Sequence, residues 1–382
     1  MSGSRTLPAP ASRNALALLR FPDRHTGWVV VAAASLRAPP AGLDERLLAL
    51  HRAVPMVGAR LRGEVWHQGA PPEPLVVDGE PLGARILLDA FRLAAEPPLR
   101  VLIGGDGTRM AVACHHAAFD GLGLVALLAA LLGGPLPAPP VQDTSGRPAA
   151  ELRGLLGRLA RPADRVAASP GAPAGDGLAV REVALPGPGV TARLAAAAVA
   201  AAGARNARMG RPWRRVGINL GLAGPGQTGP DPPAARGDAD AAGAGGSASP
   251  GDPGQVEAGN RSRYRRVDLL AGEPVAPVVV AALASPREPV DQVWSPRLGA
   301  LLGPVARRCS DSLLVSNVGR RAVPGATRLD FFPVARGRSA VAVGAAGLPG
   351  GLSTVSLRAR DLSTEDAEAL LADIVARLEA GA

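Results

Sequence analysis

The sequence predicts a mixed α/β (α+β) fold in two halves. Strand-like and helix-like runs alternate along both halves of the chain, the pattern of layered sheets and helices. The 382 residues are 47% hydrophobic, an ordinary share for a chain that buries a core. That length suits two domains or one large two-lobed unit, and the run SPGAPAGDG at 169–177 is a Pro/Gly-rich joint near the middle.

The elements follow in order. Residues 27–36 (GWVVVAAASL) form a near-continuous apolar run and read as a buried strand. Leu43, Leu47, Leu48 and Leu50 fall at helical spacing, so 43–52 is an amphipathic helix stopped by Pro55. A second helix is expected over 82–93. Residues 99–103 and 109–115 are two strands joined through Gly105, Asp106 and Gly107, a hairpin whose turn needs positive φ. From Gly121 a helix runs to the glycine pair 133–134. A short helix is expected near 149–159.

Beyond the joint come a strand at 178–185, an Ala-rich helix at 191–208 and a strand at 214–220. Residues 222–258 hold little but Gly, Pro, Ala, Asp and Ser, too little apolar surface to offset ordering entropy, and a disordered insertion is expected there. A strand at 263–270, a helix at 295–308 and strands at 313–318, 326–334, 339–343 and 352–359 follow. Ser363 caps a last helix, 364–378, with Glu365 and Asp366 in its first turn. The expected organisation is an N-terminal lobe (1–165), a crossover linker (166–177) and a C-terminal lobe (178–382).

All 42 basic residues are Arg, the net charge is +9 and the pI is near 11.1. Such a pI raises nucleic acid as a partner. No nucleic-acid motif is present, however, and the ten aromatics are too few for base stacking. Arg together with 48 Gly and 38 Pro reflects GC-rich coding. Cys114 and Cys309 make no disulfide framework. The N-terminus lacks an apolar signal region, and the longest apolar run, 122–132, is too short to span a bilayer. A soluble, cytoplasmic protein with no transmembrane segment and no nucleic-acid partner is expected.

The string CHHAAFDG (114–121) carries the chemistry: HHxxxDG, formed by His115, His116, Asp120 and Gly121. It lies where a strand gives way to a helix, a position that presents side chains well. An imidazole there is a natural general base, since its ordinary pKa lies near 6.5. Asp120 can cap the helix or pair with an arginine, and Gly121 lets a ligand approach the backbone. Three other readings stand beside this one. A metal site lacks further ligands. A Cys114 nucleophile is too far from His116 along one strand face. Two histidines can also simply be satisfied at a strand end.

The stretch PLRVLIGGDGTRMAVACHHAAFDGLG (98–123) resembles the chloramphenicol acetyltransferase-like superfamily of acyltransferases, which includes peptide-synthetase condensation domains, polyketide-associated acyltransferases and wax ester synthases. HRAVPMVGARLR (51–62), RRVGINLG (214–221), Gly259–Asn260 and LLVSNVG (313–319) add weaker similarity in the same order. The resemblance implies two similar α/β lobes with the active site in a channel between them. It implies a His116 general base working with His115 and Asp120, and attack on a thioester without an acyl-enzyme. It further implies oxyanion or channel roles for Gly121, Ser316 and Asn317, of which alternation along a strand would let only one of the last two face the channel. Arg320 or Arg321 would pair with Asp120. No bound cofactor is implied: acyl-CoA or acyl-phosphopantetheine is the donor, an alcohol or amine the acceptor, and an acyl or peptidyl carrier protein a candidate partner. Condensation or cyclisation of a carrier-bound intermediate, or a catalytically inactive scaffold, are the alternatives. Arg211, Arg214 and Arg215 lie in the densest arginine group and are candidate ligands for donor phosphates. No metal is expected.

Overall fold

The computed structural model describes residues 7–21, 26–138, 160–171, 176–185, 187–222, 258–261, 263–285, 310–335 and 341–381. The insertion expected at 222–258 falls mostly outside these, as do the helices expected at 149–159 and 295–308.

In the first half, β1 (Ala9–Pro10), α1 (Arg13–Leu19) and β2 (Val29–Leu36) lead to α2 (Leu43–Ala53). Three short strands follow: β3 (Arg60–Arg62), β4 (Val65–His67) and β5 (Leu75–Val77). The hairpin β6 (Leu99–Gly104) and β7 (Arg109–His115) turns through Gly107 at φ +71°, then α3 covers Gly121–Leu131. In the second half come β8 (Asp176–Val183), α4 (Val190–Arg208), β9 (Arg215–Leu222), β10 (Arg263–Leu270) and α5 (Val275–Ala284). The chain closes with β11 (Leu313–Arg320), β12 (Ala326–Phe332), β13 (Val341–Gly347), β14 (Ser353–Arg360) and α6 (Thr364–Ala380).

Two large sheets organise these elements. The first has the order β12-β2-β7-β6-β5, the second β10-β9-β11-β13-β14-β8, and β1-β4-β3 form a small third sheet. The apolar run of β2 divides by period two. Val30, Ala32, Ala34 and Leu36 join the core under α2 and α3, while Val29, Val31 and Ala33 join a second core on the opposite face. A strand buried on both faces has no polar alternation, as its sequence lacks. In the second sheet Val216, Ile218, Leu313, Val315, Val343, Val355 and Leu357 pack against the small-residue face of α4 and the apolar stripe of α6.

The boundary expected at 166–177 does not divide the hydrogen bonding. β12, from the segment assigned to the second lobe, pairs antiparallel with β2, Phe332 opposite Val31. β12 also packs on β13 and β14, so it joins the two sheets. The contact between them is polar on one face of β14. Thr354 Oγ donates to the Leu329 carbonyl at 2.6 Å, Ser356 Oγ to the Phe331 carbonyl, and Arg358 Nη1 to the Val29 carbonyl. The alternate residues Val355, Leu357 and Ala359 face the apolar core.

The helix expected at 82–93 is replaced by two 3₁₀ turns, Pro81–Gly83 and Arg85–Leu87. The buried Arg100 guanidinium explains the difference. It takes the carbonyls of Ile86 at 2.8 Å and Asp89 at 2.6 Å, lies 3.9 Å above the Phe91 ring and pairs with Glu96. Those carbonyls serve arginine in place of a helical ladder. α5 was not expected, because its segment carries Pro274 and Pro277. Both fall at its N-terminal end, where a missing N–H breaks no helical bond.

Candidate active site

β7 pairs with β2 in a register that sets His115 opposite Val29, and the chain then leaves the sheet. The His116 N–H donates to the Trp28 carbonyl at 2.7 Å. Trp28 has φ +49°, a left-handed conformation that a bulky side chain rarely adopts. The bend lets one carbonyl at the entry to β2 hold the histidine backbone at the exit of β7.

The period of the strand separates the two histidines. His115 turns toward Phe91, ring centroids 6.1 Å apart and nearly perpendicular, and its Nδ1 accepts the Ala117 N–H at 3.1 Å. Burial, with the nearby charges of His116 and Arg100, pushes its pKa down to about 3. His115 is therefore a neutral acceptor that shapes the turn. His116, only 3% exposed, faces a cleft. Its Nδ1 lies 3.1 Å from the Phe119 carbonyl, which can only accept, so Nδ1 carries the proton. Nε2 keeps its lone pair and accepts from the Tyr264 hydroxyl. The tyrosine ring meets the imidazole edge to face, centroids 6.0 Å apart at 87°.

Asp120 is buried and works through the backbone. Oδ1 caps α3 by accepting the Gly123 N–H at 2.8 Å. Oδ2 accepts the Arg261 N–H at 2.9 Å, and the Asp120 N–H donates to the Gly259 carbonyl at 3.0 Å. One carboxylate thus fastens residues 259–261 across the start of α3. Two glycines make that closeness feasible. A Cβ on Gly123 would lie 3.1 Å from the Gly259 carbonyl oxygen, and one on Gly121 would lie 2.6 Å from the Phe331 ring.

The cleft encloses about 490 Å³, counting its open mouth, and draws its walls from both large sheets. Val30 and Phe331 come from the first, Tyr264, Leu314 and Ser316 from the second, and His116, Asp120 and Gly121 from the turn into α3. β9 and β11 run parallel, and the cleft opens at their carboxyl ends, Gly221–Leu222 and Ser316–Val318. Carboxyl ends of parallel strands are where open sheets place ligands.

Ser316 and Asn317 both border the cleft. β11 is regularly paired through Asn317 and departs from regular pairing only between Asn317 and Gly319. The Asn317 carboxamide accepts the Gly319 N–H at 2.8 Å and reaches Thr191 at 3.4 Å. Ser316 Oγ lies against Gly221, 2.7 Å from where a Cβ would stand. Arg320 is exposed, and Arg321 Nε donates to the Val318 carbonyl at 3.0 Å. Arg211 and Arg214 are exposed, and the N–H groups of Arg214 and Arg215 bind the Asp164 carboxylate, away from the cleft walls. Cys114 is buried with its thiol pKa pushed up by burial and by Asp120, which suits packing and not nucleophilic attack. Cys309 lies outside the described residues. No cluster of three or more His, Cys, Asp or Glu fit to hold a metal occurs among the described residues.

Sequence reasoning missed Trp28, Phe331 and Tyr264. Tyr264 carried one signal: it is the sole tyrosine of the chain. Its partner lies 148 residues away in sequence, a pairing no local pattern reveals.

No family model matches the chain, and no curated protein matches it. Solved structures do. A mutant starter condensation domain of rhizomide synthetase RzmA, in complex with C8-CoA and Leu-SNAC, superposes with a TM-score of 0.60 at 13% identity over 98% of this chain and 94% of that one. The condensation domain of the monacolin K polyketide synthase MokA gives 0.55 at 11% identity over 99% and 98%. The X-domain of teicoplanin biosynthesis, solved in complex with OxyB, gives 0.53 at 17% identity over 99% and 94%. Matched end to end with such domains, the chain has the fold of condensation domains.

Proposed function

We propose that this protein is an acyltransferase of natural-product or lipid biosynthesis that moves an acyl group from a CoA or carrier-protein thioester to an alcohol or amine. One observation carries the reading: His116 is fixed with Nδ1–H on the Phe119 carbonyl and Nε2 directed into the cleft. That is the tautomer a general base requires. The acceptor hydroxyl or amine gives its proton to Nε2 as its heteroatom attacks the thioester carbonyl. The tetrahedral oxyanion takes hydrogen bonds from Ser316 Oγ and from backbone N–H groups near Gly121. The C–S bond then breaks, and the proton on Nε2 leaves with the thiolate.

His115 and Asp120 are positioning residues in this scheme, one shaping the turn and the other capping α3. The two large sheets with their helices are the two lobes, and the cleft is the middle of a channel reached by donor and acceptor. The rhizomide synthetase domain was solved with C8-CoA, which favours a medium-chain acyl donor here. No helix among the described residues is long and apolar enough to cross a membrane.

A second reading, condensation on a carrier-bound intermediate, is favoured by the synthetase origin of the similar structures. Product analysis by mass spectrometry, with acyl-CoA and acyl-carrier-protein donors against alcohols and amines, separates the two. Turnover with free CoA thioesters supports the first reading. Turnover with carrier-loaded donors alone supports the second, and thioester consumption unchanged in His116→Ala contradicts both.

A further inference from the structure

We propose that Tyr264 is a specificity-determining residue, a guard on the base that turns water away from His116 and yields to an apolar acceptor. The inference rests on His116 acting as the base of an acyl transfer and deepens that reading. Two observations meet at one atom. His116 lines a cleft of about 490 Å³, yet it is only 3% exposed. The Tyr264 hydroxyl, which donates to Nε2, reconciles the two: it stands where the proton of an acceptor has to arrive. The imidazole is not placed to turn aside. Its Nδ1–H is held on the Phe119 carbonyl, and Trp28 flanks the ring with centroids 6.5 Å apart. The tyrosine therefore has to give way before an acceptor reaches the base. Tyr264 is half-buried, its ring packs on the small core of Leu314, Ala335 and Ala342, and β10 pairs it with Gly221, which sets no side chain beside it.

The guard discriminates by exchange. Water on Nε2 trades one hydrogen bond for another of like strength and brings nothing more. An acceptor with an apolar body also brings surface to bury, and Val30, Leu314 and Phe331 in the cleft wall are there to cover it. Only such an acceptor carries the surplus that displaces the phenol. An unguarded base would waste the thioester by hydrolysis. Water would give a proton to Nε2 as its oxygen bonds to the carbonyl carbon, the C–S bond would break, and the proton would leave with the thiolate, giving a free acid and a free thiol. An alcohol or amine that carries an apolar group is thus the acceptor class the site selects.

The test compares the full chain with Tyr264→Phe, which keeps the ring and its packing and loses only the hydroxyl. Two rates are measured without acceptor: carbethoxylation of His116 by diethylpyrocarbonate, read by peptide mass spectrometry, and release of octanoic acid from octanoyl-CoA. Both should rise roughly five- to tenfold in Tyr264→Phe, the factor that loss of one hydrogen bond allows. Acid release should fall to the buffer rate in Tyr264→Phe/His116→Ala. Carbethoxylation of His116 that is unchanged in Tyr264→Phe overturns the guard, because the base is then already open in the wild type. Acid release that stays at the wild-type rate while His116 becomes more reactive overturns it too, because the hydroxyl then does not hold water off the thioester. Acid release that rises in Tyr264→Phe but is indifferent to His116→Ala overturns the general-base reading instead.

Discussion

At the scale of single residues, the site depends on close approaches. Gly121 has no room for a methyl group, since a Cβ would press on the Phe331 ring at 2.6 Å. Gly121→Ala should destabilise the fold by about 1–3 kcal/mol, as overpacking does, and urea unfolding checks it. His115 makes a pH prediction. Its pKa of about 3 in the folded chain lies below the ordinary 6.5 of the unfolded one. The unfolded state therefore binds the proton first, so the group's contribution is complete above pH 6.5 and is lost progressively as pH falls toward 3. Between pH 7.5 and 4.5 the wild type should lose about 3 kcal/mol more than His115→Asn, a variant that keeps an acceptor for the Ala117 N–H. Equal losses in the two proteins would show that His115 titrates normally in the fold. At this scale HHxxxDG was legible because its residues are adjacent in sequence. The backbone partners of Asp120 were not, because backbone N–H groups carry no sequence signature.

At the scale of elements, period and caps made most of the fold readable. The hairpin β6–β7, the helix after Gly121 and the capped α6 all lie where their local sequence places them, within the usual terminal fraying. Ser363 accepts the Asp366 N–H at 3.2 Å, so Ser363→Ala should cost about 1 kcal/mol, measurable as a lower thermal midpoint. The failures have physical causes. Residues 82–93 have helix-compatible apolar spacing, yet Arg100, on a strand formed later in the chain, takes the carbonyls that a helix would have used. α5 was hidden by prolines that are harmless only because they fall at its start.

At the scale of the molecule, the two sheets are joined by both polar contacts and apolar burial. Arg358, 1% exposed, pairs with Asp176 on β8 and reaches the Val29 carbonyl on β2, one residue from the Trp28 that holds His116. Arg358→Met should cost about 3 kcal/mol by leaving a buried carboxylate only partly compensated by Arg360, again read by urea unfolding. The same pairing shows where the arginine surplus goes. Arg100, Arg205, Arg266, Arg328, Arg358 and Arg360 all sit in internal ion pairs, so part of the basic charge is structural. Sequence could give the number of arginines but not their partners. It was equally silent on β12, which crosses to the other half's sheet. We propose His116 Nε2 as the base of an acyl transfer assembled between these sheets. Its most direct test is kcat/KM for a turned-over acyl thioester and acceptor in wild type and in a folded His116→Ala protein. A fall of about 10²–10⁴-fold is expected, and an unchanged value would contradict the general-base role of His116.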